Sequence, residues 1–172
     1  MEVVLGALAV GIVLLVRLRR LRARVDRAWV ALDTQLQRRA GLAEELARQH
    51  PAALGDVQAA RLAAAAAGAR DPSAGDREGA ENALGAELRD LPDDLPGVPP
   101  ALHTDLTGTS TRVALARRFY NDAVRDTHAL RRRRLTRLFR LHASRPLPRF
   151  FDIDDRLSHT GVSAGSARQA GR

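Results

Sequence analysis

After Met1 and Glu2 comes an uncharged apolar run, residues 3–16, and a dense group of arginines follows it directly. The arginines are Arg17, Arg19, Arg20, Arg22 and Arg24. Apolar residues on every side of a helix, bordered by cations, are typical of a membrane anchor and its cytoplasmic border. The pattern predicts a transmembrane anchor with its arginine border over 1–22. It also predicts a single-pass protein of the cell membrane, with the N-terminus outside and the remaining domain in the cytoplasm.

At about 1.5 Å of rise per residue, the run covers only ~21 Å of a ~30 Å hydrocarbon core, so Arg17 and Arg20 would have to extend their guanidinium groups outward. Two other interpretations compete with this anchor. A cleaved signal peptide would carry its cations before the apolar run rather than after it. A buried core helix would not normally end in so many arginines. The anchor is the interpretation that the pattern favours.

Helical periodicity continues through most of the chain. An apolar stripe from Leu18 to Leu46 predicts a long helix that leaves the anchor and is kinked or ended at His50-Pro51. The alanine-rich run 62–67 and the stretch 80–91 predict two shorter helices, separated by connectors rich in proline and glycine. The last seam is strictly spaced by four and three residues, as in a coiled coil. It consists of Leu102, Leu106, Thr109, Val113, Ala116, Tyr120, Ala123, Thr127 and Leu130.

Helices that each carry one apolar stripe must bury those stripes against each other. No stretch alternates cleanly between apolar and polar residues, so strands are not expected. The predicted fold is therefore all-α: an N-terminal transmembrane helix that continues into an elongated antiparallel helical bundle of three to four helices, over residues 23–142. Residues 143–172 form a separate proline- and phenylalanine-containing segment and a tail that is expected to be disordered after Arg156.

The charge distribution limits the classes of partner. All 28 basic residues are arginine and cysteine is absent, a bias that indicates a GC-rich bacterial genome and excludes disulfides and thiolate chemistry. The net charge of +8 divides into +4 for residues 1–50, −6 for 51–110 and +10 for 111–172. An acidic middle that lies against a basic end would neutralise much of the field internally. We therefore expect no nucleic-acid partner.

The run Arg131, Arg132, Arg133 and Arg134 is the strongest electrostatic feature of the chain. It is consistent with a solvated helix face, or with contact with an anionic inner leaflet, where arginine near the surface is stabilising. Nucleic-acid binding is disfavoured because no aromatic residues are interleaved with the arginines. Together with Arg17, Arg19 and Arg20, these residues are the predicted lipid-facing basic group.

The candidate chemistry is sparse. The five histidines are scattered, and none has a partner at the three- or four-residue spacing of metal ligands. No glycine-rich loop follows a strand, and no serine lies in a nucleophile elbow. Asp93 and Asp94 are adjacent carboxylates in a proline-rich connector and are expected to be solvated. We predict no enzyme activity, no metal and no cofactor.

Two separated segments carry a family resemblance. Residues 31–49, ALDTQLQRRAGLAEELARQ, and 115–125, LARRFYNDAVR, resemble the two conserved cores of the LemA family of bacterial membrane proteins. The matching positions are Gln35, Leu36, Arg38 and Arg39 in the first segment, and Ala116, Arg117, Tyr120, Asn121, Ala123 and Val124 in the second. The chain departs from the family pattern at Glu44-Glu45, in the stretch LPDDLPGVPP and at Thr127-His128. The resemblance implies a single-pass anchor and an α-helical cytoplasmic domain, and it implies no established reaction.

A polar layer between the first and last long helices is the most specific structural prediction. If the two helices are antiparallel, the numbers of any two residues at equal height add up to the same total. If the end of the last helix lies at the membrane border near Leu18, this total is about 158. The heptad spacing through Leu32 and Leu42 places Gln35 and Arg39 on the buried seam of the first long helix. The register then brings Gln35, Arg38 or Arg39 to Tyr120, Asn121 or Asp122. Buried polar groups need partners, so we expect these side chains to fix the register of the helices.

These features together predict a membrane-anchored, non-catalytic helical scaffold or partner-binding protein. The alternative is a peripheral regulator whose basic helix responds to anionic lipids of the inner leaflet. The expected partners are anionic membrane lipid and an unknown membrane-associated protein, and the formation of a homo-oligomer is left open.

Overall fold

The computed structural model describes residues 1–71, 75–92, 94–132 and 146–154. In these ranges the chain forms five helices and no strand, so the predicted all-helical bundle is confirmed. The helices are α1 (Glu2–Gln49), α2 (Pro51–Leu54), α3 (Asp56–Arg70), α4 (Arg77–Arg89) and α5 (Pro100–Arg132). Helix α2 is a single turn, and the four longer helices build the bundle.

Local sequence signals set the helix ends. Helix α1 ends at the residue before His50-Pro51, as predicted, because proline disfavours the helical conformation of the residue before it. Gly55 separates α2 from α3 with a φ of 78°, a conformation that glycine adopts without strain. The Asp76 side chain accepts a hydrogen bond from the Gly79 amide at 2.8 Å and caps the start of α4. Pro100 begins α5, at a helix position that proline tolerates.

Helix α1 is the spine of the molecule, and α5 runs antiparallel along it. Arg24 of α1 pairs with Asp126 of α5 at 2.8 Å, and the rings of Trp29 and Tyr120 are 5.3 Å apart. The numbers of two residues at equal height therefore add up to about 150. The predicted total of about 158 is wrong, and the difference shifts one helix along the other by roughly two turns. The reason is that the register is fixed at the far end, where α1 ends at Gln49 and α5 begins at Pro100.

Two apolar cores lie one after the other along α1. The alanine-rich core joins α1, α3, α4, the Leu95 region and the start of α5, and consists of Ala40, Ala43, Leu46, Ala47, Leu62, Ala66, Ala69, Leu84, Leu95, Leu102 and Leu106. The aromatic core consists of Val25, Leu32, Leu36, Val113, Tyr120, Ala123, Val124, Phe151 and Ile153, with Trp29 packed against it. The predicted seam of α5 contributes to both cores.

Residues 146–154, here called the docked segment, belong to the aromatic core. The predicted boundary placed this segment outside the bundle, together with the tail, but Phe151 and Ile153 are each about 95% buried. The sequence signal was missed because the segment has no helical periodicity. The predicted disorder after Arg156 lies outside the described residues.

The predicted single-pass localisation is wrong, and with it the transmembrane helix and its assignment of an outside N-terminus and a cytoplasmic bundle. In the part of the chain that the structure describes, no helix combines the length and the apolar character that a membrane crossing requires. The physical reason is the short run: residues 3–16 span only about 21 Å before the first arginine, against ~30 Å of hydrocarbon.

Candidate functional site

A buried ion pair lies at the boundary between the two cores. Arg39 of α1 donates a hydrogen bond from Nη2 to Oε2 of Glu81 on α4 at 2.7 Å, and the two side chains are 5% and 0% exposed. Arg39 reaches this position because it continues the apolar stripe of α1 between Leu36 and Ala43. Glu81 lies on the face of α4 that also carries the buried Leu84. Two opposite charges therefore hold α4 against α1 at a position that is almost completely shielded from water.

The pair extends into a chain of charges toward the surface. Arg77 lies one helical turn before Glu81, with 3.5 Å between Nε and Oε1, and its Nη2 donates to Oδ1 of Asp33 at 2.6 Å. Three polar atoms of this cluster, Arg39 Nε, Arg77 Nε and Glu81 Oε1, are buried without a hydrogen-bond partner. Buried polar atoms without a partner destabilise the folded state, so the Arg39–Glu81 contact must offset much of this free-energy cost.

The predicted polar layer has different partners from those expected. Arg39 and Gln35 do lie at or near the seam, but Tyr120 is about ten residues, or roughly 15 Å of helix rise, from the level of Arg39. Arg38 pairs instead with Asp105 at 3.7 Å, at the exposed edge of the α1–α5 contact. Asp122 pairs with Arg125 on the surface of α5. The prediction that Gln35, Arg38 or Arg39 meets Tyr120, Asn121 or Asp122 is therefore wrong, because it rested on the wrong register.

Tyr120 and Asn121 bind the docked segment. The Tyr120 hydroxyl donates to the carbonyl of Arg149 at 2.8 Å. The Asn121 side chain donates to the Phe151 carbonyl and accepts from the Phe151 amide, both at 2.9 Å. Burial raises the pKa of Tyr120 above its usual value, and the carboxylates of Asp26 and Glu78 raise it further. Tyr120 and Asn121 thus hold an extended peptide rather than the arginines of α1.

An arginine group and an exposed apolar stretch lie together at one end of the bundle. By the observed register, Arg131 and Arg132 of α5 are level with residues 18–19 of α1. They join Arg17, Arg19 and Arg20, and these five residues are here called the arginine collar. The predicted lipid-facing residues Arg133 and Arg134 lie outside the described residues. The two basic regions are closer together than the sequence-based register allowed.

The apolar arm, residues 3–16, projects beyond this collar. Its exposed side chains point in directions that cover most of the helix circumference, and Val4 is 71% and Val13 is 65% exposed. Other exposed members of the arm are Leu5, Leu8, Val10, Ile12 and Val16. Contiguous exposed apolar surface of this kind marks a site of association.

Two further features of the described residues carry little chemistry. No group of three or more metal-ligating side chains occurs in the described ranges. An open depression of about 440 Å³ between α1 and α3 is lined by Gly41, Glu44, Glu45, Arg48, Gln49 and Arg70. Glu44 accepts hydrogen bonds from Arg70 and Arg48, and the Arg70 contact lowers the pKa of Glu44 below its usual value. The charges at Glu44, Arg48 and Arg70 are thus already paired with each other.

Sequence reasoning missed Asp33, Arg77 and Glu81, as well as Glu78, Asn82 and Arg89, which contact the docked segment. One usable signal existed for Glu81. It lies on the apolar face of a short helix, while Arg39 occupies a core position of α1, so the described residues include one buried charge of each sign. No comparable signal in the sequence marks the residues that contact the docked segment, because their side chains bind its backbone.

Comparison of the chain with protein-family models, with curated proteins and with solved structures gives no match. The resemblance to the LemA family therefore stays a prediction that depends on the two motif segments.

Proposed function

We propose that this chain is a non-catalytic helical scaffold that docks at one end on an anionic lipid surface. The observation that carries the proposal is the position of the arginine collar at the base of the exposed apolar arm. Two separate basic stretches of the sequence come to the same level of the bundle, just where the apolar surface begins. A surface that is both apolar and anionic fits this arrangement.

Electrostatics explains why an anionic partner is needed. Five guanidinium groups at one end of the bundle repel each other, and lipid phosphates or carboxylates would neutralise them. Each arginine near an anionic leaflet contributes about 1 kcal/mol, and the contribution fades within a Debye length. A purely solvated basic face would account for the arginines but not for the exposed apolar arm beside them.

The scaffold part of the proposal depends on the shape of the bundle. Helix α1 is 48 residues long, which gives a rod of about 72 Å, so the alanine-rich core lies far from the collar. Surfaces at that distance from the lipid are available to a protein partner. The motif resemblance to the LemA family supports the helical domain of this proposal.

Vesicle flotation tests the lipid contact. The full chain is expected to float with vesicles of phosphatidylcholine and phosphatidylglycerol, and much less with phosphatidylcholine alone. The Arg19→Gln/Arg20→Gln variant should bind the anionic vesicles more weakly, and raised salt should reduce the binding of the unaltered chain in the same way. Leu8→Gln/Ile12→Gln should weaken binding to both vesicle types, because it removes apolar area from the arm.

Matched controls separate this effect from total charge and total hydrophobicity. Arg112→Gln/Arg118→Gln removes the same charge from exposed positions on α5 outside the collar, and Val57→Gln removes an exposed apolar side chain from α3. Both controls should bind like the unaltered chain. If the collar variant and the control variant lose binding equally, only net charge matters and the proposed docking end is wrong.

A further inference from the structure

The docked segment fills a groove between α4 and α5. Helix α5 packs on α1, and α4 packs on α3 and α1. The segment occupies the space between α4 and α5, above Trp29 of α1, whose ring is 5.5 Å from that of Phe151. The groove is therefore lined by three helices that are distant in sequence from the peptide lying in it.

Side chains of the groove recognise the backbone of the segment. Seven hydrogen bonds join groove side chains to segment amides and carbonyls. In addition to those of Tyr120 and Asn121, Glu78 accepts from the Asp152 amide at 2.6 Å and Asn82 accepts from the Asp154 amide at 2.8 Å. The Asp154 carbonyl accepts from Arg89 at 3.2 Å, and His128 Nε2 lies 2.9 Å from the Pro148 carbonyl. Backbone contacts of this kind give affinity for an extended peptide of many sequences.

Alternate side chains of the segment provide the specificity. Phe151 and Ile153 are buried, whereas Phe150 and Asp152 are exposed, which is the two-residue alternation of an extended chain. Arg117 lies 3.8 Å from Asp152, and Arg89 lies 3.6 Å from Asp154. The groove thus buries an aromatic and an aliphatic residue two positions apart, and each is followed by an acidic residue within 4 Å of a groove arginine.

From this geometry we infer that the α4–α5 groove is a binding site for an extended partner peptide of the pattern aromatic–acidic–aliphatic–acidic, and that residues 146–154 are its intramolecular competitor. The partner is a separate protein that carries such a segment. This inference uses contacts that are independent of the lipid-docking end.

The segment is suited to exchange because its attachment is local. Two apolar side chains and a set of side-chain hydrogen bonds hold it, and these gains are opposed by the conformational entropy that the segment loses on docking. A partner peptide that offers the same contacts displaces the segment when its concentration exceeds the effective concentration of the tethered segment.

A labelled peptide with the sequence of residues 146–154 tests the site by fluorescence anisotropy. In the full chain, Phe151→Ala/Ile153→Ala weakens the intramolecular competitor and leaves the groove side chains intact. We expect the peptide to bind this variant about tenfold more tightly than the unaltered chain, because the fraction of open grooves rises. Adding Asn121→Ala to the same variant should abolish this gain, and a peptide with alanine at both anchor positions should bind neither chain.

Three outcomes overturn the inference. The first is a variant that keeps the helical circular dichroism of the unaltered chain and binds no peptide, which would make the segment a fixed part of the fold. The second is equal binding with and without Asn121, which would place the peptide elsewhere. The third is a concentration-dependent dimer of the unaltered chain that the Phe151→Ala/Ile153→Ala variant does not form, which would make the segment of a second copy the occupant.

Hydrogen exchange of the unaltered chain gives a measurement that needs no variant. The amides of Phe151 and Asp152 should exchange about tenfold or more faster than the buried helix amides of Leu36 and Val113, because the segment opens without global unfolding. Exchange of all four amides at one common rate set by global unfolding would overturn the inference.

Discussion

The alanine-rich core and the aromatic core lie end to end along α1, but different kinds of chain close them. Helices that follow each other in sequence close the alanine-rich core, and its small residues let their backbones approach closely. Two distant helices and the docked segment close the aromatic core, which relies on Trp29, Tyr120 and Phe151. Packed helices thus hold most of the alanine-rich core, with Leu95 of the connector before α5 added to them, whereas the aromatic core is closed by a segment whose backbone is bound by side chains of the helices.

Because of this difference, the two cores of one helix bundle should open in different ways. A core closed by packed helices opens only when those helices separate. A core closed by an extended segment loses Phe151 and Ile153 when the segment leaves, while α1 and α5 remain in contact through Leu32, Leu36 and Val113. The boundary between the two cores is the Arg39–Glu81 ion pair.

The largest expected effect is at this boundary. Glu81→Gln removes the carboxylate and leaves the buried Arg39 without its counter-charge, so the free energy of unfolding should fall by about 3–5 kcal/mol. Urea unfolding followed by circular dichroism measures the change. Asp126→Asn is the control, because its pair with Arg24 is half exposed, and it should change stability by about 1 kcal/mol or less. Equal effects of the two variants would show that water reaches the Arg39 guanidinium.

The alanine-rich core should respond next. Leu62→Ala removes a fully buried side chain of α3 and should reduce the free energy of unfolding by about 2–5 kcal/mol. Its folded form should keep the fluorescence emission maximum of Trp29, because this tryptophan lies in the other core. Val57→Ala on the same helix is the control and should have little effect, since Val57 is 74% exposed. A shift of Trp29 emission in Leu62→Ala would mean that the two cores are not separate.

The aromatic core should respond to a smaller change with a different signature. Asn121→Ala removes two hydrogen bonds to Phe151 and should reduce stability by about 1–3 kcal/mol. Trp29 is the only tryptophan of the chain, so its emission should shift to longer wavelength as the docked segment leaves. Asp122→Asn, at the exposed neighbouring position, should leave the emission unchanged. An unchanged spectrum in Asn121→Ala would contradict the role of this side chain in holding the segment.

The sequence predicted the parts of the molecule that depend on local signals. Proline ends α1 at Gln49, and the four-three spacing of Leu102 to Leu130 defines the buried face of α5, because both signals act within a few residues. The core position of Arg39 also followed from spacing. These properties need no knowledge of which helix lies opposite.

The partners of those residues could not be predicted in the same way. The register between α1 and α5 depends on the lengths and packing of the helices between them. An error of two helical turns in the predicted register placed Arg39 next to Tyr120. Glu81 lies on a helix too short to define its neighbour by periodicity. The docked segment binds through its backbone, so residues 146–154 show only a faint alternation that nothing else in the sequence supports.

The smallest effect is a change in the titration of Tyr120, the only tyrosine of the chain. Burial, aided by Asp26 and Glu78, raises its pKa above the usual 10.0, so the folded state holds the phenol proton more tightly than the unfolded state does. The contribution of this group to stability is therefore complete below pH 10 and declines as the pH rises above it. Phenolate absorbance measured against pH should give a midpoint above 10.0 in the folded chain and near 10.0 in denaturant.

The same titration connects Tyr120 to the docked segment. In Phe151→Ala/Ile153→Ala, departure of the segment should expose the hydroxyl that donates to the Arg149 carbonyl, so the midpoint should move down toward the value in denaturant. Leu62→Ala should leave the midpoint of the folded chain where it is, because the alanine-rich core does not contact Tyr120. A midpoint that stays high in the segment variant would mean that α1 and α5 alone bury Tyr120, and the aromatic core would then be closed by helices in the same way as its neighbour.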